Sequence, residues 1–82
     1  MWFVYVLECG NGALYTGMTN NLEKRIKEHK AGKGGKFTRS FKVRRLVYSE
    51  TCATKSKALK REAEIKKWSR NKKIKLIQSK NK

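Results

Sequence analysis

Eighty-two residues with 22 lysines and arginines against six acidic residues, a formal net charge of +16, describe one small domain that repels itself and attracts polyanions. The length leaves no room for a second core, so the whole of 1–82 is read as one domain, with 79–82 a frayed tail, and nucleic acid is the first partner to consider. The longest apolar run, Met1 to Leu7, is far short of the roughly 18 residues of a membrane span and lacks the flanks of a signal peptide.

An anionic membrane surface would call for a basic helix with a bulky apolar face, which the sequence does not offer. Cys9 and Cys52 stand 43 positions apart with no second cysteine or histidine beside either. That spacing is not a zinc pattern and fits reduced thiols in a cytoplasmic protein. Aspartate and proline are both absent, and no internal repeat is visible. Any metal site must therefore be built from Glu8, Glu23, Glu28, Glu50, Glu62 or Glu64.

In chain order, two runs rich in β-branched and aromatic residues come first, about Trp2 to Glu8 and Ala13 to Met18. The Gly10-Asn11-Gly12 breaker between them marks a β-hairpin. A three-residue loop with Gly12 left-handed puts Tyr5 opposite Gly17 and Leu7 opposite Tyr15, so both tyrosines share a face. A two-residue turn would separate them, because a one-residue slip inverts every side chain. Gly17, inside the second strand, suggests a bulge or a group that approaches the backbone closely.

A helix follows, with Asn20 and Glu23 resembling a capping box and Gly32 suited to the stop. Leu22, Ile26 and His29 recur at helical spacing, and Arg25 lies beside that stripe. On spacing alone Arg25 could be solvated and His29 could edge the core. From Lys33 to Val43, glycines and basic residues interleave with Phe37 and Phe41 in a loop or irregular strand. Bases can stack on such aromatics while the cations meet phosphates, or a phenylalanine can plug the core. Lys33, Lys36, Phe37, Arg39 and Lys42, with Lys66 further on, are the candidate nucleic-acid contacts.

Arg44 to Cys52 reads as a third strand. Thr54 or Ser56 then caps a helix to about Ser69, with Ala58, Leu59, Ala63 and Ile65 on one broad apolar face. Glu62 falls within that face, whereas Glu64 points away among Lys60, Arg61 and Lys67. A carboxylate on a buried stripe is costly unless it is paired or bound to a cation, so Glu62 either pairs with an arginine at the rim or holds a metal. Trp68 flanks the core, and Asn71 caps a short last helix bearing Ile74 and Ile77. The sum is an α+β domain, β-β-α-β-α-α, with a three-stranded antiparallel sheet flanked by helices.

These residues resemble the GIY-YIG nucleases over nearly the whole chain. Val4-Tyr5-Val6 stands at the family's first tripeptide, with its tyrosine kept, and Tyr15-Thr16-Gly17 matches the second with Thr for Ile. Arg25 looks like the family's catalytic arginine, His29 occupies the position of its His or Tyr one turn on, and Glu62 looks like its metal-binding glutamate. Length, charge and the Gly35-Lys36-Phe37-Thr38-Arg39 run most resemble the small stand-alone bacterial members, relatives of the nuclease domain of the repair subunit UvrC. Some members carry a lysine just after the second tripeptide; here Met18 and Thr19 stand instead.

The resemblance implies an endonuclease dependent on Mg²⁺ or Mn²⁺ that cuts DNA, rather than RNA, with low sequence specificity, in repair or processing. Its catalytic set would be Tyr5, Tyr15, Arg25, His29 and Glu62, with Glu62 the metal ligand and one of the two tyrosines the base; the sequence does not decide which, and Tyr15 is preferred, with Tyr5 orienting the water. A protein partner could supply targeting. The alternative is a basic nucleic-acid-binding module of the same fold with little or no cleavage, RNA included. Fold alone does not decide between them.

Overall fold

The computed structural model describes residues 1–32 and 42–80. Its elements are β1 (Trp2–Cys9), β2 (Leu14–Thr19), α1 (Leu22–Lys30), β3 (Val43–Cys52), α2 (Lys55–Lys66) and α3 (Arg70–Lys80). The expected α+β order and three-stranded antiparallel sheet are present, with β1 central between β2 and β3.

The hairpin register follows from its loop. Gly12 has φ +83°, its N–H donates to the Cys9 carbonyl at 2.9 Å, and the Cys9 N–H donates to the Ala13 carbonyl at 2.9 Å. Tyr5 accordingly faces Gly17, and Leu7 faces Tyr15. Alternation then divides the sheet into two faces. One carries Tyr5, Leu7, Tyr15 and Gly17 beneath α1. The other carries Val4 and Val6, with Thr16 and Met18 across from them, beneath α2 and α3.

Val4, Ala58 and Ile65 centre the core of the second face, with Trp2, Met18, Trp68 and Leu76 packed around them. Removing these apolar surfaces from water is the main term that favours so small a fold. α2 covers β2 and β1, while α3 lies against β3 at the opposite edge. Thr16 is buried on this face, and its hydroxyl has no hydrogen-bond partner among the described residues.

Three boundaries differ from the sequence reading. The α1 cap is Asn21, whose side chain accepts from the Lys24 N–H at 3.1 Å, and not Asn20. Thr19 Oγ1 accepts from the Asn21 N–H at 3.1 Å, a local turn that moves the helix start one residue along. Helix α2 ends at Lys66, and not near Ser69, because Ser69 begins the next helix. Its Oγ accepts from the Lys72 N–H at 3.3 Å, so α3 starts before Asn71.

The apolar face of α2 is also narrower than the pattern indicates. Ala58 and Ile65 are buried, but Ala63 is exposed and Leu59 is 49% exposed. Leu59 lies about 100° round the helix from the buried Ala58, and Ala63 about 160° from the buried Ile65, beyond the reach of one packed stripe.

A candidate active site across Gly17

The ring of Tyr5 crosses the side-chain-free position at Gly17 on the edge strand. A Cβ there would lie 2.4 Å from the Tyr5 hydroxyl and 2.6 Å from its ring carbon Cζ. Glycine is thus required for contact distance, since no positive φ is involved at this residue. With the gap open, the Tyr5 hydroxyl comes within 2.8 Å of His29 Nε2. Both residues are 1% exposed.

Tyr15, across from Leu7, completes an aromatic cluster: its ring centroid lies 6.5 Å from that of Tyr5 and 5.0 Å from that of His29. From the same helix as His29, Arg25 donates to the Tyr5 oxygen and ion-pairs with Glu28 at 3.9 Å. The capped start of α1 fixes this arrangement, because Arg25 and His29 are one turn apart on one face.

Burial raises the Tyr5 phenol above its ordinary value, and the hydrogen bond from Arg25 only partly opposes this. Burial, joined by the Arg25 charge, lowers His29. The imidazole is therefore neutral at physiological pH. Arginine has only donors, so when His29 is protonated at Nδ1 the Tyr5 hydroxyl hydrogen is directed to Nε2. The site is a polar network in which a neutral ring sits beside a permanent cation.

Glu62 approaches from α2. Its side chain is 19% exposed, Lys66 Nζ lies 3.7 Å from its carboxylate, and its charge opposes ionisation of Tyr5. The pairing partner at the rim is thus a lysine and not an arginine. A clamp that the sequence did not reveal sets the rotation of α2. Arg61 donates to Glu50 Oε1 at 3.0 Å, bonds Glu64, and lies 5.1 Å from the Trp68 ring centre, while Tyr48 donates to Glu50 at 2.7 Å. With Arg61 anchored at β3, its neighbour Glu62, about 100° round the helix, is left for the β2 side where Tyr5 lies. The available signal was Glu50 alternating with Tyr48 on one strand, but its partner eleven residues on could not be read from spacing.

Among the described residues no group of three or more His, Cys, Asp or Glu converges to cage a metal. A lone, partly buried carboxylate instead suits a hard cation that keeps most of its shell as water and substrate oxygen. Mg²⁺ or Mn²⁺ at Glu62 is compatible with that donor set.

The other expected contacts are less grouped. Lys33, Lys36, Phe37 and Arg39 lie outside the described residues. Lys42 is exposed, and its carbonyl accepts from the Gly10 N–H at 2.7 Å, beside the hairpin loop. Lys66 is close to the site through Glu62. Where some relatives place a lysine, Met18 packs into the second-face core and Thr19 shapes the turn into α1. Arg25 is the cation whose charge reaches both tyrosines.

A family model described as the GIY-YIG catalytic domain matches residues 1–75. The chain belongs to the GIY-YIG family, a nuclease family whose members generally depend on a divalent metal and act on nucleic acid. A UPF0213 protein of Staphylococcus saprophyticus is 51% identical over 75 residues, 92% of each chain. One of Clostridium perfringens is 52% identical over 81 residues, 99% of this chain and 87% of that one. The solution NMR structure of a UPF0213 protein from Bacillus halodurans shares 43% identity at a TM-score of 0.62, and covers 98% of this chain and 86% of its own. No helix among the described residues is long and apolar enough to cross a membrane.

Two measurements probe this geometry. Gly17→Ala forces the Tyr5 ring to shift and should cost about 1–3 kcal/mol, whereas Gly10→Ala, whose Cβ would meet only the Lys42 carbonyl at 3.6 Å, should be close to neutral. Equal melting temperatures for the two variants would contradict the steric role of Gly17.

The second is the pH dependence of stability. Because the folded-state pKa of His29 is depressed, the unfolded chain binds the proton first as pH falls. Stability should be fully present above about pH 6.5 and decline as pH falls from there through the lower folded value. In His29→Gln that segment of the melting-temperature profile should be flat, since this is the only histidine. A parent profile already flat between about pH 7 and 5.5 would contradict the buried, neutral imidazole.

Proposed function

We propose that this protein is a Mg²⁺-dependent endonuclease that hydrolyses DNA phosphodiester bonds with low sequence specificity, in repair or processing. The observation that carries the reading is the meeting of Tyr5, His29, Arg25 and Tyr15 around the Gly17 gap, with Glu62 brought near from α2. In hydrolysis a water adds to phosphorus, loses a proton, and one P–O bond breaks. Tyr15 is half-exposed in the cluster and is the group that takes the water's proton. Arg25 supplies the positive charge beside the cluster.

Tyr5, buried and held protonated, orients the water and is itself oriented by His29. Arg25, which bonds Tyr5 and pairs with Glu28, brings a planar guanidinium suited to a non-bridging phosphate oxygen, a geometry that lysine cannot match. Glu62 would hold the metal ion, which supplies charge stabilisation at the leaving oxygen. Lys66, beside Glu62, adds a contact for the adjoining phosphate.

The test is nicking of supercoiled DNA with Mg²⁺ or with chelator. Glu62→Gln should abolish metal-dependent cutting and leave folding and DNA binding intact, because a neutral amide is a poor ligand for a hard cation. Glu64→Gln, on the far side of the clamp, should stay within a few fold of the parent. Equal nicking by Glu62→Gln and parent would remove the glutamate from the mechanism. No nicking by the parent itself would overturn the nuclease reading in favour of a binding module.

A further inference from the structure

Each glutamate of the chain has a cationic partner, and among the described residues no such partner lies on α3. Glu8 pairs with Arg45, Glu23 with Lys27, Glu28 with Arg25 and Glu62 with Lys66, while Glu50 and Glu64 share Arg61. Helix α3 has no acidic residue and places Arg70, Lys72, Lys73 and Lys75 within six consecutive positions. Three of these cations occupy its first turn, next to the positive end of the helix dipole, where positive charge is unfavourable.

Arg70 and Lys73, like Lys72 and Lys75, are spaced i,i+3, so like charges stand side by side. Of these four described cations, Lys72 alone has an offsetting contact, over the Trp68 ring at 4.5 Å. Among the described residues, then, α3 carries charge set against its own helix and has no internal counter-charge. Such an imbalance lowers stability and is relieved by a bound polyanion.

We propose that α3 is a second phosphate-backbone surface, one that binds a different double-helical segment of nucleic acid from the segment at the tyrosine cluster. Placement at opposite edges of the sheet sets the two segments apart. The cluster lies on the α1 face at the β2 edge, whereas α3 lies on the other face against β3. The sheet stands between them and they lie at its opposite edges, so the two segments run on opposite sides of the molecule. One chain would thereby hold two duplex arms, as at a branch or crossing.

A lipid surface fits less well. Ile74, Leu76 and Ile77 are half-buried, and Leu76 packs on the core, so α3 has no free bulky face to insert. The inference rests on the reading of nucleic acid as substrate, but it does not require cutting.

The experiment uses the full chain in chelator, so that binding is measured without cleavage. Protein loaded on a bead-bound duplex is tested for capture of a second, fluorescent duplex. The parent should capture it. Arg70→Gln with Lys75→Gln, both exposed positions, should still bind the first duplex but lose capture at least tenfold. The slope of log Kobs against log salt for the captured duplex should become shallower by about 2, one for each phosphate contact removed.

Relief of repulsion should leave the melting temperature unchanged or higher. If the double variant melts below the parent, Lys75→Gln alone carries the same test with a slope change of about 1. Undiminished capture by the variants, as a dimer bridging through its cleft surfaces would give, would overturn the proposal. So would absence of capture by the parent. Loss of binding to phosphatidylserine vesicles with capture intact would also overturn it, in favour of a membrane. A chain that captures but never nicks would refute the nuclease reading and leave this one standing; a chain that nicks without capture would do the reverse.

Discussion

The candidate site depends on one steric permission, the absence of a side chain at Gly17. Through it the Tyr5 ring crosses the edge strand and reaches His29, and without it neither the hydrogen bond nor the approach to Arg25 could form. The permission has value only in one register. Gly12, in its left-handed conformation, closes a loop that sets Tyr5 against Gly17, and a slip of one residue would send the tyrosine to the α2 face. Turn chemistry eight residues from Tyr5 on the sequence, counted to Ala13, thus fixes where the hydroxyl points. Burial then determines its chemistry. A phenol and an imidazole enclosed together are both held neutral, and the guanidinium beside them supplies the charge.

Much of this was legible in the sequence, for identifiable reasons. The hairpin and its register could be read because period-two alternation and a Gly-Asn-Gly loop leave few solutions. Arg25 and His29 could be placed together because helical periodicity needs only a correct start within a residue. Where several local hydrogen bonds compete, spacing failed. Asn20 and Asn21 are equivalent as letters, and the Thr19 hydroxyl decides between them. Ser69, read as a helix end, is instead a helix beginning, since a serine can serve either side of a short break.

The packed face of α2 is narrower than its apolar letters for a related reason. A sheet touches only part of a helix, so apolar letters at Leu59 and Ala63 do not ensure burial. Least legible was the Glu50–Arg61 clamp, a contact between a strand and a helix that periodicity does not link. It nevertheless orients the element that carries Glu62. The departure at Met18 and Thr19 has a structural explanation as well: those positions are committed to the core and to the α1 turn, while the Arg25 charge couples to both tyrosines.

The geometry at the cluster requires Tyr5 to donate to a neutral His29. The single histidine makes it directly measurable by ¹⁵N NMR of the imidazole across pH, without resonance overlap. A neutral ring at pH 7, protonated at Nδ1 with Nε2 as acceptor and titrating below the ordinary value of about 6.5, is the result that this geometry requires. A ring protonated at Nε2, or one already charged at pH 7, would contradict it.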